Sequence, residues 1–253
     1  MTARLRVEAL AVTYGGVRAV KGVDLFVDAG EVVGLIGPNG AGKTTLIDAV
    51  TGFVPCQGSV FLDGRDVTGL PVHRRARHGM ARTFQSVELF DDLTIAENLA
   101  VSTERPTWRS TIRDLVRPRP AESSGDVGEA LELLGLAAFA DRHPNDLSHG
   151  QRRLAACARA VVGRPSLICM DEPAAGLDTT ESGVLGGRLR AIADRGPSIL
   201  LVDHDMSMVL EVCDRVYVLE FGEVIAEGTP DHVRRHPAVI AAYLGRSVDG
   251  DEQ

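Results

Sequence analysis

The sequence predicts an α/β fold: a largely parallel, buried sheet, an antiparallel β subdomain near the N-terminus, and a helical subdomain inserted between the two halves of the core. Three observations lead there. The runs "EVVGLIG" (31–37), "SLICMDE" (166–172) and "PSILLVDHD" (197–205) are apolar on both faces, as strands covered on both sides are. Residues 4–10 and "VDLFVDAGE" (23–31) instead alternate apolar and polar, the pattern of strands with one exposed face. From about 86 to 147 strand signals vanish and helical spacing takes over.

Taken in order, the two alternating runs pair antiparallel. The buried strand at 31–37 then runs into glycines and on into "KTTLIDAVTG", a helix that Gly52 ends. "GSVFLDGRDV" (58–67) reads as a hairpin with Asp63-Gly64 at its turn. The basic run "HRRARHGMAR" (73–82) reads as a solvated helix face, with a local basic patch as the alternative. "IAENLAVS" and "DVGEALELLGLAAFADR" are helical, separated by a Pro- and Arg-bearing stretch at 104–125. After the second and third buried runs, joined by a helix at about 180–195 that Gly183, Gly186 and Gly187 weaken, "DRVYVLEFGEVIAEGTP" closes the sheet as a hairpin. One or two short helices follow in "DHVRRHPAVIAAYLG". These elements give one domain over 1–245, with a core from 1–85 and 166–245, a helical subdomain at about 86–165, and a loose tail at 246–253.

Composition narrows the class. With 44% hydrophobic and 25% charged residues the chain has the balance of a soluble protein, and its longest apolar runs are too short to span a bilayer. The first residues lack the apolar core of a secretory signal, so a cytosolic location is expected. Four widely spaced cysteines, with no C-x-x-C pair, read as reduced structural thiols. A net charge of −8 argues against a nucleic-acid partner.

"GPNGAGKTT", from Gly37 through Pro38, Asn39, Gly40, Ala41, Gly42, Lys43 and Thr44 to Thr45, fits the G-x-x-x-x-G-K-[ST] pattern between a buried strand and a helix. The glycines let backbone N–H groups wrap a phosphate, and the helix start adds its positive dipole end. Lys43 supplies a charge to the β- and γ-phosphates of ATP, and the Thr44 hydroxyl is placed for Mg²⁺. The fold class is therefore an α/β P-loop NTPase core with a mixed or parallel sheet. The strand "SLICMDE" ends in two carboxylates, which alone could be a solvated turn; beside a phosphate loop, Asp171 reads as part of the Mg²⁺ shell and Glu172 as the group that polarises the attacking water. His204, at the carboxyl end of another buried strand, reads as a γ-phosphate contact, and the other six histidines as structural.

Kinases, GTPases, helicases and transport ATPases share those parts. The pentapeptide Leu147-Ser148-His149-Gly150-Gln151 separates them. In isolation it could be an ordinary serine-capped helix. With a phosphate loop elsewhere in the chain, Ser148 and Gly150 at a helix start form a second anion half-site, so that ATP can be held between two chains.

These residues resemble the nucleotide-binding subunits of ABC transporters. Tyr14 resembles the aromatic that stacks on adenine, "GPNGAGKTT" the Walker A loop, Gln85 the glutamine that senses Mg²⁺ and water, and "LSHGQ", with Ser148, Gly150 and Gln151, the signature motif. "LICMDE" resembles the Walker B strand, Asp178 in "AAGLD" the loop that communicates across a dimer, and His204 the switch histidine. "GMARTFQSVELFDDLTIAENLAV", "DEPAAGLD", "VDHDM" and "HPAVIAAYLG" resemble the ATPases of branched-chain (hydrophobic) amino-acid importers, with urea and amide importers close. The resemblance implies ATP and Mg²⁺ and a second ATPase subunit, identical or different. It implies two transmembrane permease subunits engaged near Gln85 to Leu93, and an extracytoplasmic solute-binding protein acting indirectly. The chain would then be peripheral on the inner face of the membrane. An exporter ATPase of the lipid or lipopolysaccharide type, and a non-transport ABC ATPase, are the alternatives. His149 departs from the common L-S-G-G-Q signature, as do Glu220-Phe221 and the glycines after Asp178 from the family's usual run.

Overall fold

The computed structural model describes residues 3–83, 89–103, 124–203 and 206–244. The chain divides into two compact units, residues 1–85 with 165–253, and residues 86–164. The expected α/β architecture, with parallel and antiparallel strands, is present.

In the first unit, β1 (Leu5–Tyr14) and β2 (Val17–Val27) pair antiparallel through a turn at Gly15-Gly16, where both residues have positive φ. The second strand thus begins six residues earlier than its alternating stretch suggested and ends at Val27, short of Glu31. With β4 (Gln57–Leu62) and β5 (Arg65–Asp66) these form a four-stranded sheet ordered β2-β1-β4-β5. Asp63-Gly64 makes the expected β4–β5 turn, both residues at positive φ.

A six-stranded sheet is ordered β10-β9-β3-β8-β7-β6. Its centre is β3 (Val32–Ile36), parallel to β8 (Ser198–Val202) on one side and β9 (Arg215–Glu220) on the other. Every residue of β3, β7 (Leu167–Asp171) and β8 is buried, as their apolar runs required. The edges are β10 (Glu223–Gly228), antiparallel to β9, and β6 (Met80–Thr83), parallel to β7. Four residues with an arginine among them carry little strand signal, and β6 is absent from the sequence-based expectation.

Helix α1 (Lys43–Thr51) ends at Gly52 in the left-handed region and packs into one core with both sheets. Leu46, Ile47 and Val50 share it with Leu5, Val7 and Leu10 of β1 and with Val33, Leu35 and Leu200. The basic run at 73–82 is a solvated helix face over His73, Arg74, Arg77 and His78, all exposed, but not at Arg75 or beyond His78. It divides into α2 (Val72–Arg77) and β6, and Arg75 is 2% exposed. Its guanidinium donates to the carbonyl oxygens of Ala49 (2.8 Å), Val50 (2.5 Å), Thr68 (2.6 Å) and Leu70 (2.9 Å), closing the carboxyl end of α1.

Helix α6 (Thr179–Ala193) forms in spite of its glycines, and Gly186 has a packing reason: a Cβ there would stand 2.7 Å from Val212 Cγ2 of α7 (Met206–Val212). Gly183 and Gly187 face open space. The chain then runs through α8 (Pro230–Arg234) and α9 (Pro237–Leu244), two helices separated at a proline.

The second unit holds α3 (Ile95–Thr103), α4 (Ser124–Leu133) and α5 (His149–Val161) around Leu99, Leu134, Leu136, Ala155 and Ala158. Helix α4 stops well before Arg142, because Gly135 turns left-handed and Leu136 N donates back to Leu131 O (2.7 Å). The fully buried Asn98 ties the approach to α3 down: Oδ1 accepts from Phe90 N, and Nδ2 donates to the Phe90, Leu93 and Thr94 carbonyls. Most of the stretch at 104–125 and all of the tail at 246–253 lie outside the described residues.

All four cysteines are free, and burial pushes the thiols of Cys157, Cys169 and Cys213 up to about 12. No helix among the described residues is long and apolar enough to cross a membrane.

Candidate nucleotide-binding and hydrolysis site

Strand β3 delivers the chain into the loop from Gly37 to Gly42, and the loop's shape admits glycine alone at two points. A Cβ on Gly37 would fall 2.0 Å from Leu219 O, and one on Gly42 2.5 Å from Ala19 O. The β9–β10 turn buttresses the loop from outside, Gly222 N donating to Ala41 O at 2.9 Å. Glu220 and Phe221 line a small pocket with Pro38, Asn39, Gly40 and Ala41, which gives these two unusual residues a place in the structure. Tyr243 of α9 also meets the loop: burial raises its phenol, and a hydrogen bond with the Gly37 backbone opposes the rise.

Helix α1 begins at Gly42, which has no side chain to cap it. By contrast α5, α6 and α8 are capped by Ser148, Asp178 and Thr229, whose oxygens accept from the backbone N–H three residues on. The first N–H groups of α1 are thus left for an anion, and the positive dipole end points the same way. Lys43 is 6% exposed, and its ammonium donates to Gly37 O (2.7 Å) and Pro38 O (3.1 Å) inside the loop. Burial lowers its pKa, while Glu172, Asp171 and Asp203 raise it. Thr44 is exposed and Thr45 half-buried. An uncapped helix start, glycines that the loop closes around and a lysine already inside it fit a nucleotide polyphosphate.

The carboxylates sit where β7 ends. Asp171 is 5% exposed; burial raises its pKa and the Arg82 guanidinium, with Nη2 3.1 Å from Oδ2, lowers it. Glu172 has φ 48, a left-handed conformation unusual for glutamate, held by Glu172 N donating to Val202 O (2.7 Å) and Ala175 N donating to Glu172 O (3.2 Å). The fully buried Asp203 fixes the same turn, its Oδ2 accepting from Ala174 N at 3.1 Å. Sequence reasoning gave neither Arg82 nor Asp203 a role; the charge that ends the apolar β8 run was the available signal for Asp203, and Arg82 stood inside a basic run with none. Among the described residues no three His, Cys, Asp or Glu side chains form a metal site. Oxygen donors suited to a divalent cation are present in the Thr44 hydroxyl and the Asp171 carboxylate, too few to hold one without phosphate and water.

Tyr14 lies at the end of β1, 48% exposed, at the Gly15-Gly16 turn. The second half-site belongs to the other unit. Ser148 Oγ accepts from Gln151 N (3.2 Å) and Gln151 Oε1 from Ser148 N (2.9 Å), a reciprocal capping box that opens α5 with Gly150 buried in its first turn. Asp178 forms the same box with Glu181. The two expectations at Gln85 and His204 lie outside the described residues.

The family model described as "ABC transporter" matches residues 20–175, and one described as "Branched-chain amino acid ATP-binding cassette transporter" matches 223–249. The chain is 39% identical over 250 residues to the high-affinity branched-chain amino acid transport ATP-binding protein BraF of Pseudomonas aeruginosa, covering 96% of this chain and 98% of that one. It is 38% identical, with the same coverage, to LivG of Escherichia coli, which carries the same description. It is also 36% identical to the lipopolysaccharide export system ATP-binding protein LptB of Haemophilus influenzae, over 95% and 97% of the two chains. Among solved structures, the ADP conformation of the ATP-binding cassette MJ1267 superposes with a TM-score of 0.86 at 31% identity, covering 97% of this chain and all of the other.

Proposed function

The chain belongs to the ABC transporter ATPases, and from that premise we propose that it powers uptake of branched-chain and other hydrophobic amino acids. The observation that carries the substrate class is likeness along nearly the whole chain to BraF and LivG, joined by the separate match at 223–249 to a branched-chain amino acid transporter model. The chain is the nucleotide-binding, ATP-hydrolysing subunit. One domain over 1–245, with the helical part at about 86–165, carries both half-sites.

In this proposal Tyr14 stacks on the adenine, and Gly37 through Thr45 hold the phosphates, Lys43 leaving its two carbonyl partners for the β- and γ-oxygens. Bound Mg²⁺ neutralises charge on those oxygens, with Thr44, Gln85 and Asp171 as its protein partners. Glu172 orients and polarises the attacking water, from a backbone position that its two hydrogen bonds hold at the end of β7. His204 contacts the γ-phosphate. Ser148, Gly150, Gln151 and Asp178 of a second ATPase subunit close over the nucleotide, so that ATP drives closure and hydrolysis permits reopening. Two transmembrane permease subunits on the inner face of the cell membrane receive that motion near residues 85–93, fed by an extracytoplasmic solute-binding protein. Nucleic acid has no part in it.

The deciding experiment isolates tagged Glu172→Gln protein with ATP and Mg²⁺ from detergent-solubilised membranes of its host, identifies its companions, and measures uptake of labelled leucine by the reconstituted wild-type complex. Two multi-spanning proteins, a second cassette and ATP-dependent leucine uptake are expected. The likeness to LptB gives the second reading: a complex that moves lipid or lipopolysaccharide and no leucine would replace the amino-acid assignment. Ribosomal companions without a membrane protein would remove transport altogether.

A further inference from the structure

Arg82 is nearly enclosed, and its guanidinium joins two elements of the first unit. Nη1 is ion-paired with Asp48 of α1 and donates to Thr51 Oγ1 at 3.2 Å; Nη2 donates to Asp171 Oδ2 at the tip of β7 at 3.1 Å. The group also lies over the Phe53 ring, 5.1 Å from its centroid. Neighbouring registry explains the reach to Asp171: Arg82 on β6 pairs with Cys169 and Thr83 with Met170 of β7. Helix α1 carries Lys43 and Thr44 at its first turn and Asp48, Thr51 and Phe53 at or just beyond its last. One planar, forked cation therefore connects the helix that follows the phosphate loop to the carboxylate that ends β7.

We propose that Arg82 is a positioning residue for the divalent cation: it fixes Asp171 relative to α1, so that the carboxylate and the Thr44 hydroxyl face one cation. This rests on the assignment of Asp171 to the Mg²⁺ shell. A fork is needed because two carboxylates on different elements must be held at once. A lysine ammonium keeps the charge but offers no pair of parallel donors. Arg82 itself touches neither nucleotide nor cation, and its effect passes through Asp171.

The test compares wild type, Arg82→Lys, Asp48→Asn and Asp171→Asn for binding of a fluorescent ATP analogue in EDTA, for binding of the same analogue against Mg²⁺ concentration, and for thermal midpoint. Arg82→Lys should bind the analogue in EDTA within about twofold of wild type and require at least about tenfold more Mg²⁺ for the metal-dependent increase, a difference of about 1.4 kcal/mol. Asp48→Asn, which loosens the anchor on α1 and leaves the Asp171 contact, should fall between. A Mg²⁺ requirement in Arg82→Lys within twofold of wild type overturns the proposal, as does a parallel loss of binding with and without Mg²⁺. If Arg82→Lys does not fold, Asp48→Asn decides alone by the same criterion. Asp171→Asn separates the two levels: an unchanged Mg²⁺ requirement there removes the assignment of Asp171, whereas a raised one beside a normal Arg82→Lys removes only the role of Arg82.

Discussion

Replacing Arg75 with alanine should destabilise the protein without touching the nucleotide site. The side chain makes four hydrogen bonds to backbone carbonyls, two of them in the last turn of α1, and is 2% exposed. Hydrogen bonds from a charged donor contribute about 1.5–3 kcal/mol each, but four bonds made by one group are far from additive. Some of the loss is relieved, since Ala49 O also accepts from Gly52 N. The expected cost is about 3–5 kcal/mol, the sum of one or two charge-assisted hydrogen bonds and of carbonyls left unsatisfied at about 1–3 kcal/mol each. At about 2–4 °C per kcal/mol for a chain of this size, the thermal midpoint should fall by about 6–20 °C. The measurement is thermal denaturation followed by circular dichroism, with Arg75→Lys as the control that keeps the charge and loses the fork. That variant should lie between the other two, and 0.5 M salt should not erase the difference, because the partners are buried carbonyl oxygens and not a solvent-exposed countercharge. A midpoint for Arg75→Ala within about 3 °C of wild type would mean that Arg75 is solvated and α1 needs no cap from it.

Lys43→Ala should lose nucleotide binding and hydrolysis by at least about tenfold, read by analogue titration and phosphate release; full activity would remove the phosphate-loop assignment. His149→Gly should leave ATP turnover within about tenfold, since Ser148 and Gln151 form the cap and the proposed anion contacts are those of Ser148 and Gly150; a larger acceleration would show that His149 restrains the site. The thiols of Cys157, Cys169 and Cys213, held up to about 12 by burial, should stay protonated and unlabelled by a thiol reagent at pH 8 in the native protein, with Cys56 alone reacting slowly, and all four should react in denaturant. Rapid native labelling of more than one thiol would contradict the buried placement.

The parts of the fold that can be read from sequence are those whose pattern is local. Strands β3, β7 and β8 announce themselves because both faces are apolar, and the phosphate loop because glycines, lysine and threonine must stand at fixed offsets. Ser148 is legible as a cap because a capping box spans four residues. Arg82, Arg75 and Asp203 escape, because each is a charged residue whose meaning lies in a partner far along the chain: Arg82 in Asp171, Arg75 in the last turn of α1, Asp203 in Ala174. A run of basic residues looks solvated until the acceptors that enclose two of its members are known. Helix α4 ends early for a related reason, since Gly135 becomes a stop only when Leu136 folds back on Leu131.

The strand order has a consequence for how the chain is made. β3 ends at Ile36, yet its neighbours in the sheet are β8 and β9, the second of which ends at Glu220. At about 5–20 residues per second, ribosomal synthesis leaves this wholly apolar strand without its partners for about ten to forty seconds. The whole of the second unit, residues 86–164, is synthesised within that interval, before β8 and β9 exist. The six-stranded sheet then closes late, around an apolar strand that was made long before the two strands that flank it.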